Sequence, residues 1–393
     1  MSPAAPLPHA SVHHAPGLDT LRVLAIALVF VFHYPGDGAP EWFASIARFG
    51  WTGVDLFFVL SGFLVSRQLL APLAAGERPD LRAFCLRRFL RVLPAYWGVL
   101  AVYALLPSVR ERPDMPPLWS YLTFTQNFGL EGGAFSHAWS LCIEEHFYVA
   151  LPLLVLALSG RVRWRGVVAL VLGIIALGVV VRMSLWWAHL EAPPPGASLG
   201  RLYRRYIYYP TWGHLDGLLA GGVLALVATF RPAVWGRWLR APLGAALLAT
   251  ACLLLAGPLC IDNKSLLSSA VAFPLLSLGF AALVVLALTG AGARTLGRMP
   301  GARWLASVTY CVYLSHKLVL HAVHRALEPH GLGAHHPITV LASVACVLAA
   351  AALLHVTVER PFLRLRERWV RPVPGGGGLP HALPVGPGAW RGN

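Results

Sequence analysis

Arg22 and His33 lie in one apolar run of the sequence, LDTLRVLAIALVFVFHY, and both side chains can carry charge. A helical residue advances by about 100° and 1.5 Å, so the eleven-residue step puts both on one face, roughly 16 Å apart. Ionisable side chains in a membrane-length segment are costly unless they are paired or face a polar cavity, so they mark candidate functional sites. The spacing therefore predicts a cavity that runs between a guanidinium and an imidazole.

The composition of the 393-residue chain is that of a membrane protein. Hydrophobic residues make up 57% of it and charged residues 12%, whereas soluble domains carry about 25% charged residues. The formal net charge of +15 does not indicate a nucleic-acid partner, because the basic residues follow the membrane topology. The six cysteines are scattered without a CxxC spacing, so we predict neither a metal site nor a disulfide framework.

Ten segments have about the length and apolarity needed to cross some 30 Å of hydrocarbon as helices. They lie near 18–34, 50–67, 92–107, 139–158, 166–188, 212–229, 241–258, 266–290, 304–326 and 337–357. With the N-terminus inside, the cytoplasmic segments hold three times as many Lys and Arg residues as the outer ones. Basic residues favour the cytoplasmic side, so we predict an all-α, multi-pass protein of the plasma or inner membrane. It has about ten transmembrane helices and both termini in the cytoplasm.

The predicted domain organisation is simple. Residues 1–17 form a short cytoplasmic segment that contains no Lys or Arg, and no small-residue cleavage site follows it, so no signal peptide is predicted. Residues 18–370 form the transmembrane domain, without a second soluble domain. Residues 371–393 are rich in Pro and Gly, a composition typical of a disordered tail. This orientation places Arg22 near the cytoplasmic side and His33 toward the outer side.

Seven motifs follow one another along this frame. They are LDTLRVLAIALVFVFHY, GVDLFFVLSGFLVSRQL (53–69), FCLRRFLRVLPAYW (84–97), WSLCIEEHFYVALP (139–152), HLDGLLAGGVLA (214–225), TYCVYLSH (309–316) and VERPF (358–362). From about residue 17 to 370 the chain resembles the acyltransferase 3 family of integral membrane acyltransferases. It departs from the family pattern at His146, where Gln is common, and at His214, where Arg often stands.

The resemblance implies transfer of an acyl group, often acetyl, from cytoplasmic acyl-CoA to a hydroxyl of a sugar or similar acceptor. Such a reaction needs a base for the hydroxyl proton, and an imidazole can serve near neutral pH. We therefore predict that His33 is the general base. Glu144, at the family's Glu position, is predicted to orient it, as a carboxylate orients the imidazole of a catalytic triad. The alternative is that Glu144 or Glu145 pairs with an Arg for structure.

Three arginines are predicted to bind the donor. Arg88 and Arg91 share a helix face at i and i+3, and Arg side chains bind phosphate oxygens such as those of coenzyme A with two hydrogen bonds. Arg22 is predicted to contact the phosphate or pantetheine part of the donor. Retention of positive charge on the cytoplasmic side explains the arginines that precede span three equally well, and Asp19 at i−3 is an alternative partner for Arg22. Acyl-CoA is a co-substrate here, and no tightly bound cofactor is predicted.

Four further residues are candidates for the cavity wall: Asp55, Tyr310, Tyr313 and His316. The last three form one stripe at three-residue spacing. Core packing is the alternative for this stripe, and capping of a helix is the alternative for Asp55. Ser61 is not predicted to be a nucleophile, because no GxSxG elbow surrounds it. The small residues at 61–62 instead favour close helix packing.

The resemblance thus implies a membrane O-acyltransferase whose acceptor is a carbohydrate, a glycolipid or a macrolide. It does not decide between these acceptors, and it leaves acyl length and oligomeric state open. One alternative is a transporter or flippase, which predicts paired inverted repeats with broken helices; the sequence shows no such symmetry. Another alternative is a non-catalytic family member, but the retained Arg22 and His33 disfavour it.

Overall fold

The computed structural model describes residues 15–36, 39–158 and 164–369, and within these ranges the chain is helical and has no strands. The first fourteen residues of the predicted N-terminal segment and the whole predicted tail 371–393 lie outside the described residues. The α-helices are α1 (Pro16–His33), α2 (Glu41–Ala47), α3 (Gly53–Ala74), α4 (Leu81–Leu105), α5 (Leu118–Leu122), α6 (Trp139–Leu158), α7 (Trp164–His189), α8 (Leu199–Tyr203), α9 (Asp216–Phe230), α10 (Pro232–Leu239), α11 (Pro242–Ile261), α12 (Phe273–Leu288), α13 (Gly290–Thr295), α14 (Ala302–Leu327), α15 (Pro337–Leu354) and α16 (Arg360–Trp369).

Shorter helical turns join these elements. The 3-10 turns are Gly50–Thr52, Pro107–Val109, Ser136–Ala138, Thr211–Gly213, Leu296–Arg298 and Glu328–His330. The π-helical turns are Arg204–Tyr208, Ser268–Ala272 and His355–Glu359. Such turns are frequent at helix ends and at functional sites.

Within the described ranges, seven helical segments are long and apolar enough to cross a membrane, or eight if the pair α9 and α10, bent by 112°, is one span. The all-helical, multi-pass character is therefore confirmed, while ten spans and cytoplasmic termini stay predictions. The difference concerns α4 and α14, which have 25 and 26 residues and reach about 38 Å at 1.5 Å per residue. They do not qualify as spans by composition, because α4 carries four arginines in its first half and α14 has polar residues throughout.

Two glycines allow α3 and α9 to pack with their backbones in contact. A Cβ atom at Gly62 would lie 2.2 Å from the carbonyl oxygen of Leu218, and one at Gly221 would lie 2.2 Å from that of Val59. No side chain fits in that space, so each helix requires glycine at its crossing point. The prediction that small residues near 61–62 serve helix packing is confirmed for Gly62.

Helix α1 lies in the interior, packed against α3, α12 and α14. It begins with Pro16 in its first turn, where the missing N–H costs nothing. It ends at His33 because Tyr34 precedes Pro35, and a residue before proline is driven to an extended conformation; Tyr34 has φ −70° and ψ 137°. The last helical residue is thus an imidazole held at the end of a buried helix.

Candidate active site

A cavity of ≈ 840 Å³ lies at the His33 end of α1. Its lining includes residues from the loops that precede α6 and follow α4, together with side chains of α1 and α14. Those that bear on the chemistry are His33, Glu111, Ser136, His137, Tyr313 and Lys317. Polar side chains therefore converge on a space large enough for a small organic substrate, as ligand sites require.

Three imidazoles, His33, His137 and His316, meet at this cavity, and we call them the imidazole cluster. The ring centres of His33 and His316 are 4.9 Å apart, those of His137 and His316 also 4.9 Å, and those of His33 and His137 6.2 Å. His33 and His137 line the cavity, whereas His316 is fully buried behind them. The structure therefore surrounds His33 with other imidazoles rather than with a carboxylate.

Hydrogen bonds fix the proton positions of this cluster, because a carbonyl oxygen only accepts. His316 Nδ1 lies 2.7 Å from Tyr313 O, so it donates and leaves Nε2 as an acceptor. His33 Nδ1 lies 3.0 Å from Val29 O and 3.1 Å from His316 Nε2, so it is the protonated nitrogen of its ring. Nε2 of neutral His33 keeps its lone pair and makes no hydrogen bond to any residue that the structure describes.

A strained backbone turn positions His137 at the cavity. Phe135, two residues before His137, has φ +55° and ψ 23°. This left-handed conformation costs a non-glycine residue about 1–2 kcal/mol. Phe135 is fully buried, and its ring stacks on Tyr103 at 4.7 Å and on Tyr121 at 5.8 Å. Such strain persists only where the surroundings enforce it, and it is concentrated at functional sites.

A charged pair lies beside the imidazoles. Lys317 Nζ is 2.9 Å from Glu111 Oε1 and donates to Ser136 Oγ at 3.1 Å. The same Glu111 oxygen accepts from the backbone N–H of Phe135 at 3.2 Å. The pair thus ties α14 to the turn that carries His137, and it leaves Glu111 Oε2 without a partner among the described residues.

Glu144 is not brought to His33. Its Oε2 accepts a hydrogen bond from the hydroxyl of Tyr148 at 2.8 Å, and that hydroxyl also contacts Ser61 Oγ. Glu144 lies in the second turn of α6, away from the end of the helix that faces His33. The turn at Ser136–Ala138, which precedes α6, instead places His137 there. The predicted contact between Glu144 and His33 required knowledge of the relative depth of two helices, which the sequence does not contain.

The three predicted donor-binding arginines lie near one another at the opposite end of α1. The charges of Arg22, Arg88 and Arg91 are close enough to repel. Arg22 is paired with Asp19 at 2.8 Å, so the alternative partner is confirmed, and Arg91 is paired with Glu359 at 2.8 Å. We call these three residues the arginine cluster.

A line of polar groups connects the two clusters. The guanidinium of Arg88 lies over the ring of Tyr148, 4.8 Å from its centre, and Tyr148 leads to Glu144 one turn earlier. Ser140, another turn earlier, lies 2.5 Å from the hydroxyl of Tyr313, which also donates to His137 O at 2.5 Å. Ser140, Glu144 and Tyr148 recur at i, i+4 and i+8, so they share one face of α6. The sequence analysis identified only Glu144 of this stripe.

The other predicted cavity residues separate into two groups. Tyr313 lines the cavity, whereas Tyr310 donates to Val92 O at 2.8 Å and ties α14 to α4. His316 is fully buried and does not line the cavity, and its Nε2 accepts the hydrogen bond from His33 Nδ1. Asp55 is buried 3.5 Å from His214 Nε2, and it does not itself line the cavity, although its chain neighbour Val54 does. Tyr310 and Asp55 are thus not brought to His33, because helix periodicity gives a face but not the neighbour of that face.

A second buried polar group lies on the side of α9. The guanidinium of Arg182 donates to Asp216 Oδ2 at 2.7 Å, to Gly213 O at 2.9 Å and, through Nε, to Ser269 O at 2.7 Å. Its Nη2 reaches Asp216 Oδ1 at 3.3 Å, and the side chain of Arg182 has no exposed surface. Arg182 lies within the predicted span 166–188, and nothing in the sequence identifies Asp216 as its partner.

One group of side chains has a metal-like composition. Single ligand atoms of Cys311, His355 and Glu359 lie within 4.8 Å of one another. However, Arg91 is already 2.8 Å from the Glu359 carboxylate, and His355 Nδ1 lies 2.7 Å from its other oxygen. These hydrogen bonds and this charge account for the three residues, so we do not assign a metal to them.

Comparison with known proteins identifies relatives of the chain. Residues 16–356 match the family model described as "Acyltransferase domain". The chain is 32% identical to YrhL of Bacillus subtilis strain 168 over 56% of its own length, and 29% identical to the peptidoglycan O-acetyltransferase OatA of Listeria monocytogenes over 55%. It is 27% identical to the O-acetyltransferase OatA of Staphylococcus aureus strain NCTC 8325, also over 55%.

The matches span about a third of each relative: 34% of the first two and 35% of the third. No solved structure matches the chain closely enough to be compared with it.

Proposed function

The chain belongs to the acyltransferase domain family, and on that premise we propose that it moves an acyl group from acyl-CoA to a hydroxyl of a carbohydrate-containing acceptor. The names of two relatives, a peptidoglycan O-acetyltransferase and an O-acetyltransferase, support acetyl as the group transferred and a carbohydrate as the acceptor. Because the match covers about a third of those proteins, the activity and the acceptor of this chain are proposals.

The free Nε2 atom of His33 is the observation that carries the proposal. It has a lone pair, it faces a cavity, and hydrogen bonding at Nδ1 fixes the tautomer. In the proposed reaction, the acceptor hydroxyl attacks the thioester carbonyl and gives its proton to Nε2. A carbon–oxygen bond forms, the carbon–sulfur bond breaks, and the departing thiolate takes the proton from the imidazolium. The contact of Nδ1–H with His316 Nε2 stabilises that imidazolium.

The arginine cluster is proposed to bind the phosphates of the donor. Its guanidinium groups offer forked donors that suit phosphate oxygens. With the Arg22 end of α1 at the cytoplasm, as the distribution of basic residues predicts, coenzyme A enters there. Its pantetheine arm then extends along the polar stripe of α6 toward His33, about 16 Å away along α1. Glu144 is proposed to hold Tyr148 beneath Arg88 on this path.

The bent pair α9 and α10 is the observation that favours the transporter alternative, because broken helices are typical of transporter sites. An inverted repeat would require a second broken pair at a matching place. Among the described residues, one such pair is found. Acyl transfer therefore stays the preferred function.

The first experiment measures acceptor-stimulated release of CoA from acetyl-CoA by the purified protein in detergent, with N-acetylglucosamine oligosaccharides and macrolides as acceptors. His33→Gln is expected to lower the rate by about 10²–10⁴-fold, the usual contribution of a general base, while acetyl-CoA still binds. His189→Gln is the matched control, since His189 stacks on Tyr206 and does not line the cavity. An unaltered rate in His33→Gln would remove the base assignment, and absence of acetyl-CoA binding to the wild type would favour the transporter.

A further inference from the structure

One ring nitrogen of His137, Nδ1, has no role in the proposed reaction. Nε2 of the same ring lies 3.2 Å from Leu314 O and must donate there, because a carbonyl oxygen only accepts. In the neutral ring, Nδ1 then carries a lone pair. Nδ1 is buried and has no partner among the described residues, although buried polar atoms are nearly always hydrogen-bonded.

We propose that His137 binds the acceptor: its Nδ1 accepts a hydrogen bond from a second hydroxyl group while His33 Nε2 receives the proton of the reacting hydroxyl. This inference rests on the proposed function and specifies the acceptor further. Both rings line the same cavity, with centres 6.2 Å apart. Two hydrogen bonds of about 2.8 Å, one to each ring, reach hydroxyl groups one or two carbons apart on one sugar.

The turn before α6 gives independent support. Phe135 is held in a left-handed conformation, and the hydroxyl of Tyr121 donates to Ala134 O at 2.9 Å on one side of it. On the other side, the hydroxyl of Tyr313 donates to His137 O at 2.5 Å. These two hydrogen bonds fix the backbone on both sides of the strained turn, and the turn thereby fixes the position of the His137 imidazole. Backbone strain of this kind is expected where a side chain must be held in a fixed orientation toward a ligand.

Two other residues that line the same cavity, Trp51 and Tyr203, carry a polar atom without a partner among the described residues and indicate the same class of ligand. Trp51 Nε1 is a donor, and the hydroxyl of Tyr203 is both a donor and an acceptor. A hydroxyl group both donates and accepts. A polyol such as a sugar therefore suits this wall, whereas an acceptor with a single hydroxyl leaves His137 and Trp51 without partners.

The test compares acceptors as well as variants. The wild type and His137→Phe are assayed for acetyl transfer to the methyl β-glycoside of N-acetylglucosamine and to its monodeoxy analogues. Removal of the reacting hydroxyl abolishes transfer in both proteins. Removal of the hydroxyl that binds His137 is expected to lower kcat/KM of the wild type by about tenfold to hundredfold, the effect of leaving a buried acceptor unpaired. In His137→Phe, the same removal should have almost no effect.

A purely structural role of His137 predicts a different result. In that case His137→Phe loses activity on the parent sugar and on every analogue by the same factor, and this outcome overturns the proposal. His137→Asn, which returns an amide oxygen near the Nδ1 position, is expected to restore part of the discrimination. Acetyl-CoA binding checks that each variant is folded.

The design also separates this inference from the proposed function. If the wild type transfers acetyl to none of the sugars, the proposed function fails for this acceptor class. Binding of the same sugars, measured by the fluorescence of the cavity tryptophans, then tests His137 alone. Tighter binding of the parent sugar than of an analogue, abolished in His137→Phe, supports the acceptor site, and equal binding by both proteins refutes it.

Discussion

The imidazole cluster and the Arg182–Asp216 pair are both polar groups buried among apolar helices, yet they differ in what their atoms lack. Every nitrogen of the Arg182 guanidinium donates to a carboxylate or carbonyl oxygen. In the imidazole cluster, His33 and His137 line a cavity, and His33 Nε2 and His137 Nδ1 have no partner in the described part of the chain. Among the described residues one group has all its hydrogen bonds, and the other leaves two nitrogen atoms for the proposed acceptor.

This difference distinguishes buried polar groups that stabilise the fold from those that take part in the proposed reaction. A buried charge in a membrane protein is expensive, and a complete set of hydrogen bonds is what keeps it in place. The Arg182 pair links α7, α9 and the turn before α12, so its loss should affect folding. The imidazoles join elements only through neutral hydrogen bonds, His33 to His316 and His137 to Leu314 O, so we expect their loss to affect chemistry more than folding.

Removal of the Arg182 charge should give the largest loss of stability. Arg182→Met leaves the Asp216 carboxylate buried and unpaired, which typically costs about 3–5 kcal/mol. Thermal unfolding in detergent, followed by circular dichroism, measures the effect. The double variant Arg182→Met with Asp216→Leu should recover most of the loss, because both charges are then absent. A single variant as stable as the wild type contradicts the structural role.

Removal of the acceptor behind His33 should reduce kcat without affecting stability. His316→Leu deletes the Nε2 atom that receives the His33 Nδ1 proton, and loss of such an orienting partner usually costs about 10–100-fold. The Michaelis constants for donor and acceptor should stay within about twofold of wild type, since His316 contacts neither in the proposed reaction.

His316→Gln provides the matched comparison for that variant. Its amide oxygen is an acceptor near the position of Nε2, so partial recovery of kcat is expected. Equal activity of the wild type and His316→Leu would show that the tautomer of His33 does not depend on His316.

Loss of one arginine at the other end of α1 should raise the Michaelis constant for acyl-CoA alone. Arg88→Gln removes a guanidinium proposed to contact phosphate, and about a tenfold increase is expected from a charge-assisted hydrogen bond. Arg82→Gln is the control, because Arg82 is exposed on the same helix. Similar Michaelis constants for acyl-CoA in both variants would indicate that these arginines set the membrane orientation of the chain rather than bind the donor.

The exposed pair Arg205–Glu131 should have the smallest effect. Its atoms are 2.6 Å apart, closer than those of the Arg182 pair, but the side chains are 44% and 38% exposed. The hydrogen bond to Glu131 raises the pKa of Arg205, so the guanidinium stays charged at every usable pH. Solvent screening nevertheless limits the pair to below about 0.5 kcal/mol. Thermal unfolding of Arg205→Gln alongside Arg182→Met measures the contribution of burial directly.

The parts of this molecule that local periodicity controls were predictable from the sequence. The shared face of Arg22 and His33 follows from eleven residues of helix, and the shared face of Arg88 and Arg91 follows from their i, i+3 spacing. The end of α1 at His33 is encoded by the proline two residues later. These features depend on a single helix and its immediate flanks.

Other parts depend on how helices are placed against one another. Nothing in the sequence gives the depth of α6 relative to α1, so Glu144 was predicted beside His33, where the structure places His137. Phe135 carries no glycine-like signal for its left-handed turn, and its conformation depends on the tyrosines around it. The one available hint was the position of His137 just before the Trp-Ser-Leu motif.

The stripe Ser140, Glu144 and Tyr148 has a consequence for the electrical integrity of the membrane. Proton conduction needs an unbroken chain of hydrogen bonds of about 2.7–3.2 Å, but successive turns of α6 are about 5.4 Å apart. In the described part of the chain, Ser140 bonds toward Tyr313 and Glu144 bonds toward Tyr148. No direct hydrogen bond joins Ser140 to Glu144 among these residues, so the side chains of the stripe do not by themselves form a continuous path for protons.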